Sequence, residues 1–215
     1  NVDATLDAAE IQHDETMMSW LPLYHDMGLV GFLAIPMTKG IDLVQAAPQD
    51  FLAHPGNWMQ WLSDYKCTAT AGPNFSWVLA TRALKRMEGL DLSHLTLALS
   101  GAEPVDPKAV VAFVAEAKRF GFPEGGVFPA FGMAEVAIAG SFPKRGRGLQ
   151  TDTVDRIVLE TQRVAKPIEV TDPDEYAILA RELPLLGKAV PGLEMKVVDP
   201  DTFEELPERH VGELL

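Results

Sequence analysis

The sequence predicts an α/β fold, in which a largely parallel sheet is flanked by helices and followed by a β-rich C-terminal stretch. Short apolar runs of strand length alternate with segments of helical periodicity through the first two thirds of the chain, a pattern typical of parallel strands joined by crossover helices. From Lys144 onward the pattern changes to loops, acidic stretches and short alternating segments. We therefore place an α/β subdomain at residues 1–145. Residues 146–215 form an insertion-like segment and the start of a further β-rich subdomain.

Local signals define the elements of the α/β subdomain. Asn74 is a suitable N-cap, and Asp106-Pro107 caps and starts a helix. An earlier amphipathic helix is indicated by the helical spacing of Trp58, Trp61, Leu62 and Tyr65. The predicted elements are a helix over residues 55–66, a strand over 67–71, a helix over 75–88, a strand over 95–99, a helix from Pro107 that Gly121 stops, and a strand over 127–131.

Residues 144–215 give weaker signals. Residues 144–148 are predicted to form a loop, and residues 152–163 fit either a short helix or a strand. Residues 193–198 alternate between apolar and polar side chains, which predicts a strand.

Composition and charge narrow the range of partners. The 215-residue chain carries a formal net charge of −13 at pH 7, which disfavours direct binding to nucleic acid or to anionic membrane surfaces. The single cysteine, Cys67, excludes a disulfide within the chain and fits a reducing compartment. No apolar run reaches the roughly 20 residues of a membrane-spanning helix. We expect a cytoplasmic protein without a transmembrane segment, and the abrupt chain ends are typical of an excised fragment.

Several other chemistries find little support in the residue pattern. The five histidines are scattered without the spacing of a metal site. Ser100 follows a predicted strand but lacks the Gly-x-Ser-x-Gly elbow that exposes a nucleophilic serine. No Gly-x-Gly-x-x-Gly dinucleotide loop occurs. Cys67 has no activating neighbour in sequence, so we expect it to be a buried strand residue.

Two small-residue loops point to a nucleotide site. Ser100-Gly-Ala-Glu-Pro104 and Pro129-Ala-Phe-Gly-Met-Ala-Glu135 each follow a predicted strand. In parallel sheets, ligands bind at the carboxyl ends of the strands, so both loops are expected to share one site. The second loop combines an aromatic ring that can stack on a purine, a glycine that permits close backbone approach, and a carboxylate that can hold Mg²⁺.

The two loops belong to a longer series of motifs. The others are Ser19-Trp-Leu-Pro-Leu-Tyr-His-Asp-Met-Gly28, Ala71-Gly-Pro-Asn-Phe75, Gly187-Lys-Ala-Val-Pro-Gly192 and Val211-Gly-Glu-Leu-Leu215. In this order the series resembles the acyl-adenylate-forming (ANL) superfamily, which includes acyl-CoA synthetases and fatty acyl-AMP ligases. The resemblance runs from about Thr16 to Leu215 and implies the central part of that superfamily's large N-terminal domain.

The resemblance implies ATP-dependent activation of a long-chain fatty acid to acyl-AMP, and it assigns roles to individual positions. The nucleotide-binding set is Gly101, Ala102, Glu103, Pro104, Ala130, Phe131, Gly132, Met133 and Ala134. The acyl-binding set is His25, Asn74, Gly101 and Met133. His25, beside the acyl carboxylate, and Glu135, which binds Mg²⁺, are the catalytic residues. Asn74 can also cap its helix, and Asp26 is expected to anchor its own turn.

The chain departs from the family pattern in two ways. Most of the wider family has a hydroxyl residue where this chain has Ala134. The upstream phosphate loop, the downstream ribose-binding aspartate and the small C-terminal domain with its catalytic lysine are absent from the sequence. We therefore expect that this chain alone does not turn over.

The connection between Glu135 and Gly187 favours one branch of the family. It is longer than in simple acyl-CoA synthetases and resembles the corresponding region of fatty acyl-AMP ligases, which pass the acyl group to an acyl carrier protein of polyketide or lipopeptide assembly. The sequence of the segment Gly187–Gly192 is instead similar to that of acyl-CoA synthetases. The acceptor implied by the resemblance is therefore either CoA or a phosphopantetheinyl carrier protein, alone or as part of a polyketide synthase. A non-catalytic adenylate-binding fragment and a purely structural α/β domain remain as alternatives.

Overall fold

A five-stranded parallel sheet forms the centre of the first part of the chain. This computed structural model describes residues 2–215, and Asn1, the first residue of the predicted α/β subdomain, lies outside them. The strands are β1 (Thr16–Ser19), β2 (Asp42–Gln45), β3 (Ala69–Gly72), β4 (Leu97–Ser100) and β5 (Val127–Pro129). Their order is β2-β1-β3-β4-β5, and each neighbouring pair is parallel. The predicted α/β class with a largely parallel sheet is confirmed.

Helices connect the strands. They are α1 (Val2–Ala9), α2 (Ile35–Lys39), α3 (Pro48–Ala53), α4 (Gly56–Asp64), α5 (Asn74–Leu84), α6 (Pro107–Ala117), α7 (Arg156–Gln162) and α8 (Pro173–Leu179). A π-helix, Met27–Ala34, leads directly into α2, and short 3-10 turns span Lys118–Phe120, Glu124–Gly126 and Ala134–Val136. Within residues 2–215, no helix is long and apolar enough to cross a membrane.

Capping residues explain why several helices begin where they do. Asp106 accepts a hydrogen bond from the Lys108 amide and so caps α6, as predicted. Gly121 adopts a left-handed backbone (φ 83°) at the end of the turn after α6, also as predicted. Asp155 accepts from the Val158 amide at the junction between a strand and α7. Both alternatives for residues 152–163 therefore occur, one after the other.

The later strands are short and antiparallel. They are β6 (Phe131–Gly132), β7 (Ala139–Phe142), β8 (Thr151–Asp155), β9 (Ala180–Pro184), β10 (Lys188–Ala189), β11 (Val197–Val198) and β12 (Glu213–Leu214). They form three small sheets, β10-β7-β6, β8-β9 and β11-β12. The predicted β-rich C-terminal stretch is confirmed, although only the last two residues of the predicted strand over 193–198 form a ladder.

The chain divides into two compact units. The first unit runs to Leu149 and includes Leu186–Gly192, which contains β10. The second unit consists of Gln150–Leu185 and Leu193–Leu215 and contains β8, β9, β11, β12, α7 and α8.

A row of aromatic rings runs through the core of the first unit. Trp20 stacks on Phe51 with ring centroids 3.8 Å apart, and both rings meet the edge of Trp58. The row continues through Trp77, Phe113 and Phe122. All of these rings are buried, and such edge and stacked contacts each add about 0.5–1.5 kcal/mol beyond area burial. The row explains the burial of Trp58 on α4, whereas Tyr65, which the same helical spacing grouped with it, follows the end of α4 and is exposed.

A buried ion pair connects the residues that precede three strands of the parallel sheet. The Arg145 guanidinium donates to both carboxylate oxygens of Glu15, at 2.7 and 2.8 Å. The Thr68 hydroxyl also donates to Glu15, and Arg145 donates to the Thr96 hydroxyl. Burial acts to raise the pKa of Glu15, but Arg145, the Gln12 amide and Thr68 together hold that pKa below its ordinary value. The loop over residues 144–148 is therefore tied to the residues that precede β1, β3 and β4.

Candidate functional site

The strand register brings several loops to one edge of the sheet. Gly72 of β3 lies opposite Ser100 of β4, which in turn lies opposite Pro129 of β5. The loops that follow these residues therefore start from the same edge, as the parallel sheet predicts. Ala130 continues this alignment, because its amide donates to the Ser100 carbonyl.

A cavity of about 430 Å³ lies at this carboxyl edge. Eight of the predicted site residues line it: His25, Gly101, Ala102, Ala130, Phe131, Gly132, Met133 and Ala134. We call this space the main cavity. It brings together the loop after β4, the loop after β5 and the segment after β1, which are far apart in sequence.

Sequence reasoning missed much of the wall of the main cavity. Met27, Leu99, Ile138 and Phe142 also line it, and together they make one side of it apolar. These four residues also border a small apolar cavity of about 40 Å³. Ile138 and Phe142 flank or belong to β7, and the residues between them, Ala139-Gly-Ser141, give little strand signal, because Gly and Ala are depleted in strands.

Glycine is required where the loop after β5 meets β7. A Cβ on Gly132 would collide with the carbonyl oxygen of Ile138, because the hairpin of β6 and β7 has a bulge at Phe131 and Gly132. The Met133 amide donates to the same carbonyl, at 3.0 Å. The hairpin therefore fixes the backbone on which Phe131 is presented to the main cavity.

The structure places Glu103, Pro104 and Asn74 outside the wall of the main cavity. The Glu103 carboxylate accepts a hydrogen bond from the Phe75 amide at 2.6 Å and so satisfies a free donor in the first turn of α5. The Asn74 side chain accepts from the Asp106 amide at 3.0 Å. Asn74 therefore joins α5 to the start of α6, and the cap that sequence reasoning expected from it is supplied by Glu103.

Glu135 lies on the exposed 3-10 turn Ala134–Val136. Its neighbour Ala134 lines the main cavity, whereas Glu135 itself does not. Among residues 2–215, no group of three metal-binding side chains occurs. The Glu135 carboxylate forms no ion pair with any of these residues. A single unpaired carboxylate fits Mg²⁺, which is commonly held by one or two carboxylates together with substrate phosphates and water.

His25 is held by its neighbour Asp26. The His25 Nδ1 lies 2.5 Å from the Asp26 carboxylate, and the same carboxylate accepts from the Met27 amide at 2.7 Å. Asp26 thus anchors its own turn, as predicted, and it also caps the start of the π-helix. The Met27 amide also donates to the His25 Nδ1, at 3.2 Å, so this nitrogen is held by both neighbours and the Nε2 of the half-exposed ring is left free for a ligand.

A second cavity, of about 320 Å³, adjoins the main one. Tyr24, His25, Met27 and Ala102 line both cavities, so His25 lies where the two meet. Trp20 also lines the second cavity, and its indole nitrogen is buried without a hydrogen-bond partner among the described residues.

Comparison with known proteins identifies the family. A family model described as "AMP-binding enzyme" matches residues 1–215. A Mycobacterium tuberculosis protein named as a ligase, Rv1013, is 39% identical over 99% of this chain and 38% of its own length. The medium-chain-fatty-acid–acyl-carrier-protein ligase JamA of Moorena producens is 32% identical over 94% of this chain and 34% of its own. A Mycobacterium tuberculosis protein named as a fatty-acid–CoA ligase, fadD25, is 34% identical over 93% of this chain and 33% of its own.

Solved structures of fatty acyl-AMP ligases share the fold of this chain. The fatty acid AMP ligase of Legionella pneumophila superimposes with a TM-score of 0.91 at 28% identity, over 100% of this chain and 36% of that one. A fatty acyl-adenylate ligase from L. pneumophila, in complex with acyl adenylate and pyrophosphate, gives a TM-score of 0.89 at 28% identity over 100% of this chain and 37% of that one. This chain spans about a third of the length of these relatives. It belongs to the AMP-binding enzymes of the adenylate-forming superfamily.

Proposed function

We propose that this chain is part of an enzyme that activates a fatty acid as acyl-AMP and transfers the acyl group to an acyl carrier protein. The observation that carries the proposal is the main cavity, where a ring, small-residue loops and an apolar wall meet around His25. The acceptor-specific part of the proposal also draws on the long connection between Glu135 and Gly187.

Each side of the main cavity suits one part of the reaction. Phe131, Gly101 and Ala102 all line this cavity, so the ring would stack on one face of adenine while the Gly101-Ala102 backbone approaches the other. The apolar wall that contains Met27 and Leu99 suits the acyl chain, and the small cavity behind it offers further apolar space. Together these surfaces would hold the two substrates in one orientation, which is a large part of catalysis for a reaction between two bound molecules.

His25 and Glu135 would act on the charged groups of the two substrates, the acyl carboxylate and the phosphates. In the activation step, a carboxylate oxygen attacks the α-phosphorus of ATP and pyrophosphate leaves. Because Asp26 fixes the ring of His25, its outer nitrogen can be held beside the acyl carboxylate. Mg²⁺ on Glu135 would neutralise phosphate charge. The family's remaining phosphate contacts and its ribose contacts come from motifs that have no counterpart in this sequence. We therefore expect the isolated chain not to turn over.

Fatty-acid–CoA ligase activity is the second candidate. The relatives include proteins named for either acceptor, at 32% and 34% identity, and the Gly187-Lys-Ala-Val-Pro-Gly192 segment is spelled as in acyl-CoA synthetases.

The test uses the intact protein that carries these residues. We would incubate it with long-chain fatty acid, ATP and Mg²⁺, alone, with CoA, or with a holo acyl carrier protein, and identify the products by mass spectrometry. We expect acyl-AMP that persists with CoA and is consumed with the carrier. Conversion to acyl-CoA would establish the second candidate, and binding of an adenylate without any product would indicate a non-catalytic module.

A variant of Glu135 tests the site itself. We expect Glu135→Gln to lower the rate of acyl-AMP formation at least about tenfold and to raise the Mg²⁺ concentration needed for half-maximal rate, because the neutral amide binds a hard cation weakly. Glu124→Gln, an exposed carboxylate in another 3-10 turn, is the matched control. An unchanged Mg²⁺ dependence for Glu135→Gln would remove the metal role from this residue.

A further inference from the structure

Three exposed cations cluster at the end of α5. Arg82 lies in the last turn of α5, and Lys85 and Arg86 follow directly. The spacing of three and four residues places them on one face. None of the three forms an ion pair with a described residue. In a chain with a net charge of −13, this basic cluster is a local reversal of sign.

The basic cluster lines a surface groove of about 410 Å³. Its other lining residues are Pro55, Leu79 and Ala83, so no carboxylate and no aromatic ring borders it. The helix dipole favours a cation at the end of α5, but it does not explain three cations around one groove without a counter-charge.

Neighbouring depressions continue from this groove to His25. Leu79 and Arg82 also line a second groove, of about 450 Å³, which reaches Phe75 and Glu103. Phe75 and Glu103 in turn line the second cavity. His25 lies where that cavity meets the main one. Consecutive depressions share residues, and all of them belong to the first compact unit.

The dimensions and chemistry of this path select a ligand class. The stretch from Asn74 to Arg86 corresponds to about 18 Å along a helix axis. The path is basic at its outer end, apolar beside the half-buried side chains of Val78 and Leu79, and ends beside the ring of His25. A slender arm that is anionic at one end and carries a reactive group at the other matches this order.

We propose that the cluster of Arg82, Lys85 and Arg86 is the docking surface for an acidic carrier protein, whose phosphopantetheine arm follows α5 to the site. This inference rests on the proposed function. In the transfer step, the arm's sulfur bonds to the acyl carbon, the bond from that carbon to the phosphate oxygen breaks, AMP leaves with the electron pair, and the thiol proton is released to water.

Two features favour a protein over CoA as the occupant of the basic end. The cations are exposed around an open groove, which suits several carboxylates spread over a macromolecular surface. A bound nucleotide would gain from an aromatic ring beneath its base, and no ring lines this groove.

The test separates docking from chemistry. In the intact enzyme, the variant Arg82→Glu/Lys85→Glu/Arg86→Glu is compared with Lys108→Glu/Lys118→Glu/Arg119→Glu, which makes the same charge change on and just after α6. Acyl-AMP formation is measured first, and then transfer to a panel of holo acyl carrier proteins, to CoA and to free pantetheine. Circular dichroism confirms that both variants fold.

We expect the α5 variant to form acyl-AMP and to acylate pantetheine at the wild-type rates, while its kcat/KM for the carrier falls at least about tenfold. Added salt should lower the wild-type kcat/KM for the carrier and have little effect on that of the variant, because screening removes the same attraction. The control variant should transfer to the carrier as the wild type does.

Four outcomes would overturn the proposal. For the α5 variant, these are an unchanged kcat/KM for the carrier, an equal loss of kcat/KM with pantetheine, and a loss of kcat/KM confined to CoA. For the wild type, the fourth is no transfer to any carrier in the panel. The third would make the cluster a CoA-phosphate site. Each of these leaves acyl-AMP formation intact. The fourth would also refute the carrier protein as the acceptor in the proposed function, whereas a wild-type enzyme that forms no acyl-AMP would refute the activation step itself.

Discussion

Replacing Arg145 with methionine tests whether the ion pair to Glu15 holds the first unit together. Methionine keeps much of the apolar length of the side chain but removes the charge. The Glu15 carboxylate, whose side chain is only 10% exposed, would then be buried without a counter-charge. Removing one partner of a buried pair costs about 3–5 kcal/mol. Because both side chains retain some contact with solvent, we expect about 3 kcal/mol.

The assay is urea unfolding followed by tryptophan emission. All four tryptophans lie in the first unit, so this signal reports on the unit that contains the ion pair. The set of variants is Arg145→Met, Glu15→Gln and the double variant. We expect the double variant to be less destabilised than the sum of the single variants, with a coupling of about 2 kcal/mol.

The pH dependence gives an independent check. Since the pKa of folded Glu15 lies below its ordinary value of 4.5, the ionised carboxylate stabilises the fold above that value, and this stabilisation is lost as the pH falls through the lower folded pKa. The penalty of Arg145→Met should therefore shrink below about pH 4. A penalty within about 0.5 kcal/mol of zero at pH 7, or one that stays constant down to pH 3, would refute the reasoning.

Three further predictions concern single residues. Gly132→Ala should destabilise the first unit by about 2 kcal/mol and lower the rate of acyl-AMP formation in the intact enzyme, because the new Cβ meets the Ile138 carbonyl; wild-type values in both assays would contradict this. Glu103→Ala should cost about 1 kcal/mol by freeing the Phe75 amide, whereas Glu103→Gln keeps an acceptor and should cost less; equal losses by urea unfolding would argue against the cap. Burial raises the pKa of Cys67 to about 12, so iodoacetamide at pH 8 should modify this thiol only after unfolding, and rapid labelling of the native chain would show that the thiol is accessible.

The sheet could be predicted because its signals are local. Apolar runs of strand length, helical spacing behind them, and stop residues such as Gly121 each act over a few residues. The parallel arrangement then follows from the alternation itself. Boundaries were less accurate: the helix predicted over residues 75–88 ends at Leu84, because single turns at Arg86 and Met87 replace its regular hydrogen bonds.

The π-helix Met27–Ala34 had no comparable signal. Its apolar residues form no clear stripe, and it begins where Gly28 packs so closely against Pro22 that a Cβ there would collide with the Pro22 carbonyl. That contact joins the helix to the segment after β1, so it depends on tertiary packing. Sequence periodicity does not carry this information.

In the site, too, local signals were predictive and tertiary contacts were not. The strand ends predicted that the loops around Gly101 and Phe131 would meet, and both line the main cavity. The direction of each side chain within a loop could not be predicted. Glu103 turns to α5 after Ala102, which adopts a positive φ of 66°, and such a backbone reversal leaves little trace in sequence.

The aromatic row gives this chain an internal optical reporter. Trp20 lines the second cavity, and Trp58 and Trp77 follow it in the row at centroid spacings of 5.6 and 4.5 Å. Indoles this close share their excitation, so a molecule that quenches or polarises Trp20 alters the emission of the whole row. Tryptophan emission from the core would thereby report ligand binding in the second cavity, without a label on the protein or on the ligand.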